Sequence, residues 1–288
     1  MVRLAAMATR PTPDAYPHRS IADLLDLEGR VAVVTGAAQG FGFAAARRLA
    51  EAGAAVLLTD RRGDAVEAAA GRLADHRERI AWAVGDVSVA DDVDGLVSAA
   101  VERFGRLDVM ICNAGFGIAG AIDDISPAQM RELVDINYMG TFHAARAALA
   151  VFRRQTAGHI IIVSSIVGRR GVPYMGAYAA TKFAQVGLAE CLRSEVAGSP
   201  IHVTVVYPVS TDTEFFDVMS RETGTLVTRA HGPRQPVTIV AGAIARAIDR
   251  PVAEVFPHFK SRALVWLNAV APAFTDRLVQ RFGRKPIR

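Results

Sequence analysis

Val31-Ala32-Val33-Val34-Thr35-Gly36-Ala37-Ala38-Gln39-Gly40-Phe41-Gly42 decides the fold of this chain. Its first five residues are largely apolar and β-branched and stop at a glycine, the pattern of a strand buried on both faces. Phe43–Ala52 then reads as a helix that ends at Gly53. Glycines between strand and helix let the backbone turn sharply and let an anion approach the main chain closely. The helix start adds unpaired N–H groups and the positive end of a dipole. Asp60 closes the next strand, eighteen residues past Gly42. That is near the ~20-residue offset at which an acid accepts hydrogen bonds from an adenosine ribose. Gly36, Gln39, Gly40, Phe41 and Gly42 are therefore expected to cradle the pyrophosphate of a dinucleotide.

Working outward, the same alternation repeats. Strands are predicted over Ala54–Thr59, Ile80–Val84, Val109–Cys112, His159–Ser164 and Ile201–Tyr207, with helices over Ala65–Arg77, Asp91–Phe104, Pro127–Arg153 and Tyr174–Val196. This βαβα order predicts an α/β fold: a doubly wound parallel sheet, Rossmann-like, with helices on both faces in a three-layer single domain. Residues 1–26 read as an N-terminal extension, 27–262 as the domain, and 263–288 as a C-terminal amphipathic tail. After Pro208 the periodicity loosens, and 209–236 is expected to be a loop covering a site. Helix resumes near Thr238–Asp249.

Of 288 residues, 51% are hydrophobic and 22% charged, enough for a sizeable core. The net charge of +4 arises from 33 basic and 29 acidic residues that are interspersed. No basic run with interleaved aromatics occurs, which argues against nucleic-acid binding. Cys112 and Cys191 have no metal or redox spacing, and both are expected to be buried, reduced thiols of a cytoplasmic protein. No metal site is expected, and no segment reaches the ~18 apolar residues of a spanning helix.

Tyr178-Ala179-Ala180-Thr181-Lys182, with Ser165 thirteen residues ahead, carries the chemistry. Residues four apart on a helix stand on one face. A free phenol titrates at about 10, and a neighbouring ammonium favours the phenolate and pulls it toward neutrality. A serine hydroxyl aimed at the same point would hold a carbonyl or alcohol oxygen. Tyrosine and lysine at this spacing are common on ordinary helices, so the pair gains its meaning from the turn upstream.

Together these residues resemble the short-chain dehydrogenase/reductase family. The likeness runs from about Leu27 to Val255. Its markers are Thr35–Gly42, Asp86-Val87, Cys112-Asn113-Ala114-Gly115, Asn137, Ser165, Tyr178 with Lys182, and Pro208 through Thr213, in the family's order and spacing. The resemblance implies that Tyr178 is the general acid/base and that Lys182 assists it while binding the nicotinamide ribose. It implies further that Ser165, rather than Ser164, orients the reacting oxygen and that Asn137 serves a proton relay. Asp86 and Val87 would meet the adenine. Asn113, Ala114 and Gly115 would line the cofactor at the central strand, and Pro208, Val209, Thr211 and Thr213 would border the nicotinamide. Two departures stand out: Cys112 where the family often has asparagine, and Val209 where it has glycine.

The carboxylate of Asp60 favours NAD, while Arg61 and Arg62 leave NADP open. The expected reaction is hydride transfer between that cofactor and a secondary alcohol or ketone. Phe116, Ile118, Val172, Tyr174, Met175, Phe215, Phe216 and Met219, with Ser165, are the candidate substrate pocket, and their apolar character points to a steroid-, terpenoid- or lipid-like compound. The alternatives are a non-catalytic nucleotide-binding scaffold or sensor, and an isomerase, epimerase or dehydratase on the same fold. The tail, with Trp266 and Phe274 ahead of Arg277, Arg281, Arg284, Lys285 and Arg288, is expected to dock on the domain or on a second subunit, in preference to an anionic membrane surface. A homo-oligomer, dimer or tetramer, is expected.

Overall fold

The strands and helices alternate as expected and build one seven-stranded sheet in the computed structural model, which describes residues 25–223 and 235–282. Residues 1–24, the centre of the expected cover loop and the last six residues lie outside the described residues. The strands are β1 (Val31–Thr35), β2 (Ala55–Asp60), β3 (Ile80–Val84), β4 (Val109–Cys112), β5 (Gly158–Val163), β6 (Ile201–Val206) and β7 (Glu254–Val255). They lie in the order β3-β2-β1-β4-β5-β6-β7, and every pairing is parallel. The order reverses between β1 and β4. A crevice opens there beyond the carboxyl ends of the strands, where α/β sheets bind ligands.

Alternation along each strand sends neighbouring residues to opposite layers. Val33, Met110, Ile160, Ile162, Val203 and Val205 point to one core, under α3 (Ala90–Phe104), α5 (Gly140–Gln155) and α6 (Gly176–Glu195). Val34, Val56, Leu58, Ile111, Ile161 and Val163 point to the other, under α1 (Gly40–Glu51), α2 (Gly63–Gly71) and α8 (Val237–Asp249). A sheet covered on both sides needs nearly continuous apolar strands, which these are.

Several elements differ from expectation. The segment read as one helix over Pro127–Arg153 is α4 (Pro127–Leu133), a π-helical turn at Val134–Met139, and α5. Its start is set by a capping box between Ser126 and Gln129 with proline at the first turn. The helix read over Ala65–Arg77 ends at Gly71, and a 3₁₀ segment (Ala74–Arg79) follows. The expected helix start at Tyr174 fails because Tyr174 has φ 64°, a left-handed conformation that a helix cannot contain, so α6 begins at Gly176. The cover is not all loop, since α7 (Phe215–Thr223) lies within it. Beyond β7 the tail forms a helical hairpin, α9 (Lys260–Val270) and α10 (Pro272–Phe282), beginning three residues earlier than expected. Cys112 is buried as expected, whereas Cys191, on the outer face of α6, is exposed.

Candidate active site

One cleft of about 1130 Å³ runs along the carboxyl edge of the sheet. Gly36, Gln39, Gly40 and Phe41 line its polar end, at the turn between β1 and α1. Gly36 and Gly40 have φ 64° and 56°, which only glycine adopts without strain. Gly42 does not face the cleft. A Cβ there would stand 2.2 Å from the Gly36 carbonyl oxygen and 2.6 Å from Asn113 Nδ2, so this glycine lets the turn close on itself. Gln39 gives α1 no side-chain cap, which leaves the N–H groups of the first turn without a side-chain partner. Asn113 Nδ2 donates to the carbonyls of Thr35 (2.9 Å) and Gly36 (3.1 Å), while Thr35 Oγ1 accepts from the N–H groups of Asn113 and Ala114. The two strands at the reversal are thereby tied together, and Ala114 and Gly115 reach the cleft wall beside Asp86 and Val87.

At the end of β2, Asp60 is buried and engaged. Arg62 donates from Nε to Oδ1 (3.0 Å) and from Nη2 to Oδ2 (3.2 Å), and the N–H of Arg62 also donates to Oδ1. Arg62 Nη1 reaches Gln39 Oε1 at 3.2 Å, linking this pair to the glycine turn. The carboxylate at the expected ribose position is therefore already paired with a guanidinium, which motif spacing does not reveal. Arg61 lines the same end of the cleft.

Ser165, Tyr178 and Lys182 sit midway along the cleft. Tyr178, 6% exposed, has the Ser165 hydroxyl beside its phenol. Ser165 also accepts from the Val167 N–H at 3.3 Å and so starts a 3₁₀ turn. Ser164 is spent elsewhere, its hydroxyl donating to the Lys182 carbonyl at 3.1 Å. Lys182 Nζ lies 5.6 Å from the Tyr178 ring centroid and donates to the Val163 carbonyl (3.0 Å) and to Gln185 Oε1 (3.1 Å). Burial pushes the phenol well above its ordinary range, opposed only by the neighbouring Ser165 hydroxyl, and pushes the ammonium down to about 7. The expected pull of Lys182 on the phenol is thus outweighed by desolvation, which disfavours the charged form of both groups.

Asn137 lies in the π-helical turn with no exposed surface, so it stands behind the cleft wall. Its Oδ1 accepts from the Phe116 N–H (3.0 Å), and its Nδ2 donates to the Phe116 carbonyl (2.9 Å) and to Thr181 Oγ1 (3.0 Å). Gln185, which no motif singled out, is equally buried and joins these residues: its Nε2 donates to the Asn137 carbonyl (2.7 Å) and Thr141 Oγ1 (2.8 Å).

Beyond the trio the cleft becomes apolar. Phe116, Val172, Tyr174, Met175, Phe215 and Phe216 line it, and the Phe215 ring packs 5.4 Å from that of Tyr178. Ile118 and Met219 do not reach the cleft. Both are fully buried, Ile118 against Leu133 and Ala177, and Met219 beneath Gly117. Pro208, Val209, Thr211 and Thr213 form the opposite wall; Thr211 accepts from Gln235 Nε2, and Thr213 stands across from Gly40. Leu264, Leu278 and Val279 of the α9–α10 hairpin close the far end. Among the described residues no cluster suits a metal ion.

Comparison with known proteins agrees with this geometry. Residues 30–223 match the family model described as short chain dehydrogenase. An uncharacterised oxidoreductase, YxnA, of Bacillus subtilis is 30% identical over 90% of this chain and 73% of its own length. Dehydrogenase/reductase SDR family member 7B of Bos taurus is 31% identical over 88% of this chain and 82% of its own. Among solved structures, a short-chain dehydrogenase/reductase from Burkholderia phymatum in complex with NAD superposes with TM-score 0.79 at 26% identity, covering 92% of this chain and 99% of that one. An alcohol dehydrogenase from Thermococcus sibiricus complexed with 5-hydroxy-NADP gives TM-score 0.70 at 28% identity, covering 79% and 95%. The chain belongs to the short-chain dehydrogenase/reductase family, whose members are NAD(P)-dependent oxidoreductases.

Proposed function

We propose that the protein interconverts a hydrophobic secondary alcohol and its ketone, with NAD as the preferred cofactor and NADP as a second. The observation that carries this reading is the placement of Ser165 beside the Tyr178 phenol at the junction of a glycine-lined polar end and an apolar end of a single cleft. The residues present fit a dinucleotide: an uncapped helix N-terminus behind two glycines of positive φ, an acid at the next strand end, and Gly115, where a Cβ would stand 2.9 Å from Asn137 Oδ1. Gly36, Gln39, Gly40 and Phe41 would hold the pyrophosphate, with Gly42 closing the turn. Asp60 and Arg61 would meet the adenosine ribose, and Asp86 and Val87 the adenine. Asn113, Ala114, Gly115, Pro208, Val209, Thr211 and Thr213 would border the rest.

A nicotinamide held by Gly115, Pro208, Val209, Thr211 and Thr213 would accept or supply the hydride. Tyr178 Oη takes the hydroxyl proton in oxidation and returns it in reduction. Ser165 Oγ holds the same oxygen and is oriented for this by the Val167 N–H, a preorganised polar contact. Lys182 keeps an ammonium beside the ring, its position set by Val163 and Gln185. Asn137 positions Phe116 and Thr181 under the site. Phe116, Val172, Tyr174, Met175, Phe215 and Phe216 exclude water and select apolar carbon frames.

Two free thiols suit a reducing compartment such as the cytoplasm. Phe142 on α5 and Phe183 on α6, 39% and 45% exposed, support pairing of copies into a homo-oligomer. Tyr178→Phe is expected to abolish turnover and retain cofactor binding. Following reduced-cofactor absorbance over a panel of alcohols and ketones, with NAD and NADP, tests the whole reading; full activity in that variant would remove the mechanism. Conversion without net change in cofactor would indicate an isomerase instead.

A further inference from the structure

The C-terminal hairpin has two faces of opposite character. Its inner face is docked: Ser261 and Thr275 are buried, Leu264, Leu278 and Val279 enter the cleft, and Arg170 donates to Asn268 and Asp276. The outer face carries Phe259, Trp266 and Val270, 76%, 65% and 74% exposed. With Ala263 these fall at i, i+4, i+7 and i+11, one stripe directly opposite the Ser261–Leu264–Asn268 stripe. On α10, Phe274 is 58% exposed, and Arg277, three residues on, shares its flank.

The charges around this apolar stripe have one sign. Lys260, Arg262 and Arg277 are exposed, while the hairpin's one acid, Asp276, is held by Arg170. Arg284, Lys285 and Arg288 follow in sequence. Self-association across a two-fold axis would set this basic rim against itself. Aromatic residues flanked by cations instead match an interface of acyl chains and anionic headgroups.

We propose that the outer face of the α9–α10 hairpin docks on an anionic lipid bilayer. The apolar end of the cleft, closed by the inner face, then lies beside the membrane, a location suited to lipophilic substrates that rests on the proposed apolar specificity; the docking itself does not.

The test is flotation of the full-length protein with phosphatidylcholine vesicles, with and without phosphatidylglycerol, at low and high salt. Co-flotation with the anionic vesicles is expected, weakened by salt. Lys260→Glu and Arg262→Glu should each weaken it about fivefold or more. Trp266→Ser with Phe274→Ser should abolish it while leaving turnover of a water-soluble alcohol intact, which separates failure of docking from failure of the enzymatic reading. In a Trp82→Phe background, Trp266 fluorescence should shift to the blue on anionic vesicles. Absence of flotation at low salt would overturn the proposal, as would equal binding to neutral vesicles. Dissociation of an oligomer by the Trp266 and Phe274 changes, without effect on vesicles, would assign the face to a second copy.

Discussion

Replacing Gln185 with leucine would test how the buried polar network sustains the site. The side chain is nearly isosteric, so it removes hydrogen bonds without opening a cavity. Three are lost: Lys182 Nζ to Oε1, and Nε2 to the Asn137 carbonyl and to Thr141 Oγ1. Asn137 and Thr141 keep each other, since Thr141 Oγ1 donates to the Asn137 carbonyl at 2.8 Å. Lys182 is left with the Val163 carbonyl alone. A bond to a charged group is worth about 1.5–3 kcal/mol and the neutral ones about 1 kcal/mol or less each, so a loss of roughly 2–4 kcal/mol in unfolding free energy is expected. Removing an acceptor of the ammonium also disfavours the protonated lysine, already down at about 7. The alkaline limb of kcat should therefore move to lower pH, and kcat near neutrality should fall about tenfold for each ~1.4 kcal/mol of lost transition-state stabilisation. Gln185→Glu separates the two effects: it keeps an acceptor for Lys182 but sets a carboxylate oxygen against the Asn137 carbonyl, so the alkaline limb should recover while stability does not. Urea unfolding and pH–rate profiles read both quantities. A Gln185→Leu protein within about 0.5 kcal/mol of the parent, with an unmoved alkaline limb, would refute the reasoning.

Arg62→Ala should free Asp60 and remove a cation from the ribose end, raising the ratio of kcat/KM for NAD over NADP about tenfold, from the ~1.5–3 kcal/mol of a charge-assisted bond; an unchanged ratio would contradict the assigned geometry. Gly42→Ala should abolish fluorescence-detected NADH binding and cost about 1–3 kcal/mol, because its Cβ would meet the Gly36 oxygen at 2.2 Å. Gly40→Ala, with nothing nearer than 3.8 Å, should pay only the backbone strain of about 1 kcal/mol, so equal damage from the two would be inconsistent with close packing as the cause. His159 is buried, hydrogen-bonds Thr204 at 2.8 Å, and is pushed down to about 3 from the ordinary 6.5 chiefly by burial, with His202 nearby adding to it. The unfolded chain binds the extra proton between those values, so stability is lost as pH falls through that window, by about 2 kcal/mol between pH 7 and pH 5. His159→Phe should remove that slope from urea melts; persistence of the slope would assign it to other groups.

The β–α alternation was legible because a sheet covered on both faces leaves apolar, β-branched runs with sharp ends; the bounds of β3 and β4 match those expected from sequence. Two residues of β7 are too short to register, and α7 escapes because nine residues of mixed character, about two and a half turns, look like loop. Ser165 was separable from Ser164 in sequence only through the family spacing. In the structure they part because extended backbone sends adjacent side chains opposite ways, one toward Tyr178 and one toward the Lys182 carbonyl.

The deeper layer was hidden for a physical reason. A π turn and an α turn show the same apolar stripe over a few residues, so the break at Val134–Met139 leaves no trace in periodicity. Yet the widened turn is where the Asn137 carbonyl takes two side-chain donors, Thr141 and Gln185. Gln185 then carries the connection to Lys182 on α6. A glutamine in mid-helix reads as solvated surface, since nothing local says that the π-helical turn and the start of α5 will cover it. Burial also reverses the simplest inference drawn from the Tyr–Lys spacing. Proximity alone would lower the phenol, but both groups lie in a medium that penalises charge. Spacing therefore identifies which groups can exchange a proton, and the packing around them decides how far their charge states must be moved before they do.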